Sequence, residues 1–212
     1  MLTQQIVVKE WMSWGLEDFY LAFVINKWDY QRSFLIAQGF ELICKAYLLG
    51  KKSGEYTVIN DEKEAIKIIN KIAKYYNHDF EKMLSDIGNP EINELIKNEY
   101  DGYNGLKLLE NFKLIHTESR YRVPNKSTSN NFPAGETGCY FNPICSSGLQ
   151  HFAYALGKKT IELIKRDFSI SLDKNDVQGM ISKGIDYTQK TEMSGSTQMR
   201  FCNVFFGDDG FC

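Results

Sequence analysis

The chain has 212 residues, of which 43% are hydrophobic and 25% charged, a composition ordinary for a globular protein. A chain of this length can bury a core without disulfides or structural metal. Its 25 Lys and Arg residues against 27 Asp and Glu give a net charge of -2, which argues against the basic surface typical of duplex DNA-binding proteins. Recognition of one nucleotide or a short single strand stays open, because it needs only a local basic pocket.

The N-terminal segment lacks the pattern of a signal peptide, because Glu10 interrupts it and no basic region precedes a long apolar run. A membrane span needs about 20 apolar residues in succession. Polar residues break the longest apolar segments at Asp18, Asn26, Glu41 and Lys45. We therefore expect a cytoplasmic protein with no membrane segment.

The five cysteines form no CxxC pair. They are Cys44, Cys139, Cys145, Cys202 and Cys212. Cys44 lies in an apolar helical segment and is interpreted as a core residue. The spacing of the other four matches no common zinc pattern, although a zinc site is the alternative interpretation. We expect reduced thiols, no metal and no cofactor.

Hydrophobic periodicity predicts a helix over residues 16–28, after Gly15, with a second short helix before it. The strongest pattern covers residues 31–49, where a narrow polar stripe is surrounded by apolar positions. A helix with so little polar surface belongs in the middle of a bundle. Gly50 is expected to end it.

Capping signals define the next two helices. Asp61 and Glu64 have the spacing of a capping box, and the helix that they start is expected to end near Asn77. Asp79 is expected to cap a short helix that Gly88 closes.

The pair Asn89-Pro90 predicts a further helix start. Apolar positions then continue as far as His116. Gly102 and Gly105 weaken the middle, so the segment is either one helix or two helices with a bend, and Pro124 must end it.

The C-terminal third changes character twice. Residues 124–148, rich in Pro, Gly, Ser, Thr and Asn, are predicted to be a long loop, and residues 147–166 return to a helical pattern. The segments 168–172 and 200–206 have a strand-like composition, which predicts a small β hairpin, with a partly ordered tail as the alternative. The sequence thus predicts a mainly α fold: an up-and-down bundle of four to five main helices over residues 1–166, and a C-terminal extension over 167–212.

Three segments in a fixed order, FELICKAYLLGK, YYNHDFEKML and ESRYRVP, precede the last long helix. Together they resemble the HEPN family of helical bundles, over about residues 17 to 166. In that family a buried helix carries a Glu and a Lys, a His-Asp-hydrophobic step opens the third helix, and an Arg-Tyr-Pro-like stretch follows the fourth. The matching residues are Glu41, Lys45, His78, Asp79, Phe80, Arg120, Tyr121 and Pro124.

The resemblance implies three broad roles: ribonucleases of toxin–antitoxin and phage-defence systems, partners or helical halves of nucleotidyltransferases, and accessory domains of large proteins. The ribonuclease members carry an Arg followed after about four to six positions by a His. This chain departs from that pattern, because no Arg precedes His78, His116 or His151 at that spacing.

His116 instead lies four residues before Arg120, the reverse order. The two would share a face if the helix continues that far. A His acting as acid and base beside an Arg that stabilises phosphorane charge would suit RNA cleavage. The alternative is that His116 is an exposed residue at a helix end.

Arg120, Tyr121 and Arg122 are the candidate binding site for a nucleotide or RNA, because two guanidinium groups beside an aromatic ring can hold phosphate and stack a base. A salt-bridge cluster of the two arginines with Glu118 is the alternative.

The other matching residues are predicted to be structural. Asp79 is expected to cap a helix and His78 to bond a backbone group of the same turn, in preference to catalysis. Glu41 and Lys45 are expected to form a pair on the bundle surface or at an interface.

No P-loop, GxGxxG, HExxH or GxSxG motif is present, and the GDDG at 207–210 is interpreted as a turn. We expect a homodimeric accessory protein that binds nucleotide or RNA, or pairs with a nucleotidyltransferase, in a prokaryotic defence or toxin–antitoxin module, and that is not an enzyme by itself. The alternatives are a metal-independent ribonuclease that uses His116 and Arg120, and a purely structural interaction module.

Overall fold

The computed structural model describes residues 4–24, 30–52, 62–121, 147–187 and 195–206. Within them the chain forms nine helices and one two-stranded antiparallel sheet, which confirms the predicted mainly α class. The elements are α1 Gln4–Val24, α2 Tyr30–Lys51, α3 Glu62–Tyr76, α4 Phe80–Ile87, α5 Pro90–Lys97, β1 Glu99–Tyr100, β2 Tyr103–Asn104, α6 Gly105–Tyr121, α7 Ser147–Phe168, α8 Lys174–Tyr187 and α9 Gly195–Phe206.

Helix α1 runs through Gly15 without a break, so the prediction of two helices separated there is wrong. Gly15 lies against Gly39 of α2, and a Cβ atom built on either residue would lie 2.6 Å from the carbonyl oxygen of the other. The two glycines therefore serve a close crossing of backbones and not a helix boundary. The helices are antiparallel, since the Gln4 side-chain amide donates to the carbonyl of Leu49.

Helix α2 lies at the centre of the bundle, as predicted, and packs against α1, α4, α6 and α7. Phe40 of α2, Phe80 of α4 and Phe112 of α6 form an aromatic cluster with ring centroids 4.9–5.7 Å apart. Among the described helices, α2 over Arg32–Lys51 is long and apolar enough to cross a membrane by length and composition alone. Because 78% of its most apolar window is buried inside the fold, it has the character of a core helix.

The capping predictions are confirmed for α4 and α5. The Asp79 carboxylate accepts from the backbone N–H of Lys82 at 3.0 Å, and Gly88 ends α4 in the left-handed conformation, with φ of 66°. Asn89 caps α5, with Pro90 at its first position. The bend expected near Gly102 is the turn of the β1–β2 hairpin, so the apolar stretch forms two helices, α5 and α6.

The C-terminal strand prediction is wrong. Residue 168 is the last of α7, and residues 200–206 lie in helix α9. Phe201 and Phe205, four residues apart, bury one face of α9 against α1, with ring centroids 5.0 Å from Tyr20 and 5.5 Å from Phe19. Aromatic residues are enriched in strands, but the four-residue spacing of the buried positions here is that of a helix.

The cysteine prediction is confirmed at Cys44, a free and fully buried thiol. It is wrong at Cys202, which is disulfide-bonded; its partner lies outside the described residues. Disulfides are rare in cytosolic proteins, so a cytoplasmic location stays a prediction. The Asp61 cap, residues 124–146 of the long loop and the GDDG turn at 207–210 also lie outside the described residues.

Candidate functional site

Three of the residues that the sequence singled out come together, although they lie on separate elements. Glu41 and Lys45 are one turn apart on α2, and His78 lies in the turn between α3 and α4. The Glu41 carboxylate uses both oxygens: Oε1 accepts from the Lys45 ammonium, and Oε2 lies 2.7 Å from Nδ1 of His78. We refer to Glu41, Lys45 and His78 as the Glu41 cluster.

The acidic and basic members of the Glu41 cluster are buried: Glu41 is 5% exposed and Lys45 is 7% exposed. The predicted pair forms, but it lies inside the bundle and not on its surface, because the helices packed around α2 bury both side chains. Their neighbour Cys44 is also buried, and burial, followed by the charge of Glu41, raises the pKa of its thiol well above the ordinary value. Withdrawing two charges from water is costly, and their close contact offsets that cost.

The backbone around His78 explains how its ring reaches α2. Asn77 and His78 both have positive φ, 39° and 63°, a conformation uncommon in residues other than glycine. This left-handed turn ends α3, and Asp79 then caps α4 as predicted. The sequence predicted a backbone partner for His78, but its Nδ1 contacts the carboxylate of Glu41, 37 residues away.

The contact with the Glu41 carboxylate favours one tautomer of His78. A carboxylate that accepts from Nδ1–H leaves the basic lone pair on Nε2, the arrangement by which a carboxylate orients a histidine for proton transfer. The His78 side chain is 40% exposed, whereas that of Glu41 is 6% exposed, so only the imidazole could meet a ligand. The same contacts also tie the α3–α4 turn to the central helix, which is the structural role that the sequence favoured.

The second predicted site lies at the C-terminal end of α6. This helix is continuous from Gly105 to Tyr121, so His116 and Arg120 are one turn apart on the same helix face. The side chains of His116, Arg120 and Tyr121, and the whole of Arg122, lie outside the described part of the chain. The backbone thus satisfies the condition for a shared face, and the contacts of these side chains stay a prediction.

Sequence reasoning missed a buried polar contact between α2 and α7. Arg32, 8% exposed, donates from Nη2 to Oε1 of Gln150 at 2.5 Å. Both residues lie near the start of their helices. Because 118 positions separate them, no local pattern in the sequence could have paired them.

Asp18 of α1 is a second group that sequence reasoning did not single out. Burial, with a smaller effect of the neighbouring Glu17 charge, raises the pKa of its carboxyl to about 7. Its position in an apolar helix was visible in the sequence, but the degree of burial depends on packing. Within the described ranges, no group of three or more His, Cys, Asp or Glu side chains is arranged to hold a metal ion.

None of the protein families, curated proteins or solved structures with which the chain was compared matches it.

Proposed function

We propose that the chain is a HEPN-like accessory protein of a prokaryotic defence or toxin–antitoxin module, which binds a nucleotide or RNA or pairs with a nucleotidyltransferase. The observation that supports this most is the Glu41 cluster. All three residues match the segments that carry the resemblance, and they meet in one hydrogen-bonded group. Helical spacing alone accounts for the contact between Glu41 and Lys45, so the supporting contact is the one between Glu41 and His78, which joins two of the matching segments.

The ligand site of this proposal is Arg120, Tyr121 and Arg122, at the end of α6. Two arginines can grip a phosphate and an aromatic ring can stack on a base, so three adjacent residues suffice for a short single strand. The net charge of -2 favours such a local site over a wide electrostatic surface.

Calorimetric titration with nucleotides and short single-stranded RNA tests this site. Arg120→Ala combined with Arg122→Ala is expected to abolish binding. Arg166→Ala combined with Arg200→Ala is the matched control, since it removes the same charge from two exposed positions on α7 and α9. Equal binding by both double variants would contradict the assignment of the ligand site to Arg120, Tyr121 and Arg122.

A metal-independent ribonuclease is the second candidate function. It is favoured by the continuous helix that carries both His116 and Arg120, four residues apart. Each protomer of a homodimer would contribute a His that moves the proton and an Arg that neutralises charge on the phosphorane.

Incubation of the purified protein with tRNA and mRNA in the presence of a chelator tests this activity. Cleavage that His116→Ala abolishes and His151→Ala leaves intact supports it. His151 is a suitable control because its side chain is 60% exposed and its Nδ1 lies 3.2 Å from Asp101, a pair remote in sequence from His116. Absence of cleavage, or equal cleavage by both variants, would exclude the ribonuclease that uses His116.

A further inference from the structure

A pocket of about 300 Å³ lies where α1, α7, α9 and the 170–172 segment meet, on elements that do not contribute to the Glu41 cluster. Its walls are mainly apolar and include Met12, Ile161, Ile170, Leu172 and Phe205. This volume is at the lower end of the range for small-molecule sites, about 300–1,000 Å³. A ligand that fits it has a compact apolar body.

Two of the three charged residues that line the pocket are lysines, and the third is a glutamate. Lys158, Glu162 and Lys165 of α7 line it, spaced so that they follow one side of the helix. Glu162 is engaged by Lys159, with Nζ and Oε2 3.2 Å apart. Lys158 and Lys165 make no ion pair within the described residues. The pocket therefore offers two ammonium groups that have no carboxylate partner among the described residues.

We propose that this pocket binds an amphipathic anion, a medium-chain carboxylate whose hydrocarbon chain occupies the apolar walls and whose carboxylate meets Lys158 and Lys165. Two lysines that have no carboxylate partner among residues 4–24, 30–52, 62–121, 147–187 and 195–206, beside an apolar cavity, complement a ligand that is apolar at one end and anionic at the other. A cationic or zwitterionic headgroup is disfavoured, since the one lining carboxylate, Glu162, already has a lysine partner. The pocket shares no lining residue with the nucleotide site proposed at the end of α6.

Calorimetric titration with decanoate at neutral pH is the direct test. One equivalent is expected to bind, and affinity is expected to rise about fourfold with each methylene from hexanoate to decanoate, as for burial of a hydrocarbon chain. Decanol, which has the same chain without the charge, is expected to bind at least tenfold more weakly. Equal affinity for decanoate and decanol, or no binding of decanoate, would overturn the proposal.

Two variants locate the ligand. Lys158→Ala combined with Lys165→Ala is expected to reduce the affinity for decanoate at least tenfold and to leave the affinity for decanol unchanged. The matched control is Lys97→Ala combined with Lys107→Ala, on α5 and α6, which is expected to change the affinity for neither ligand. Ser171→Trp, at an exposed lining position, is expected to block both ligands. Ser182→Trp on α8, outside the lining, serves as its control. Unaltered decanoate binding by Ser171→Trp would place the ligand elsewhere and refute the assignment.

Discussion

Replacing Glu41 with Ala is expected to destabilise the protein far more than removal of an ordinary helical glutamate. The substitution leaves the Lys45 ammonium, whose side chain is 9% exposed, without the carboxylate that it contacts, and it removes the acceptor of His78. Breaking one partner out of a buried ion pair costs about 3–5 kcal/mol. A domain of this size loses about 2–4 °C in Tm per kcal/mol, so the Tm is expected to fall by about 6–20 °C.

Thermal and urea denaturation followed by circular dichroism measures this effect. Glu110→Ala is the matched control, because Glu110 pairs with Lys107 on α6 at side-chain exposures of 61% and 64% and such pairs contribute at most about 1 kcal/mol. Replacing both Glu41 and Lys45 with Met is expected to recover most of the loss, since no buried charge is then left alone. The reasoning would be refuted if Glu41→Ala lowered the Tm no more than Glu110→Ala does. It would also be refuted if the variant with Met at both 41 and 45 had a lower Tm than Glu41→Ala.

Three further predictions concern other parts of the fold. Burial raises the Asp18 pKa from 3.8 to about 7, so between pH 4 and 7 the unfolded chain has lost this proton while the folded chain keeps it, and the free energy of unfolding falls as pH rises. Asp18→Asn is therefore expected to increase the free energy of unfolding by up to about 4 kcal/mol at pH 8, with a higher Tm, and to have no such effect at pH 4. An equal gain at both pH values would contradict this. In denaturant without reductant, iodoacetamide is expected to label Cys44 but not Cys202, which mass spectrometry of the peptides checks; labelling of both would contradict the disulfide. Gly15→Val is expected to lower the Tm by several degrees, because its side chain would meet the Gly39 carbonyl, and an unchanged melting curve would contradict the close crossing.

Helix ends that are determined by neighbouring capping residues could be predicted from the sequence. Asp79, Gly88 and Asn89-Pro90 act within a few residues of themselves, so their roles do not depend on the rest of the fold. The central position of α2 followed in the same way, from the narrowness of its polar stripe.

Three features that depend on a second element were predicted incorrectly. A glycine that ends a helix and a glycine that lets another helix approach look identical in one sequence, which is why Gly15 was misread. Glu41 and Lys45 have the spacing of a surface pair, and only the neighbours of α2 show them to be buried. The aromatic residues of 200–206 suit a strand until α1 is available to pack against one side of a helix.

The candidate site was predictable in part. The resemblance selected Glu41, Lys45 and His78, and the left-handed turn at Asn77 and His78 brings them together. The resemblance did not indicate which atoms meet, because the contact between Glu41 and His78 spans 37 positions of sequence.

Photo-crosslinking tests the central proposal, binding of nucleotide or RNA at the end of α6, most directly. A short single-stranded RNA containing 4-thiouridine is bound to the protein, irradiated and digested, and the crosslinked peptide is identified by mass spectrometry. The proposal predicts a crosslink within the peptide that carries Tyr121, lost when Arg120 and Arg122 are both replaced with Ala. Crosslinks confined to other peptides, or none at concentrations that saturate the protein, would contradict it.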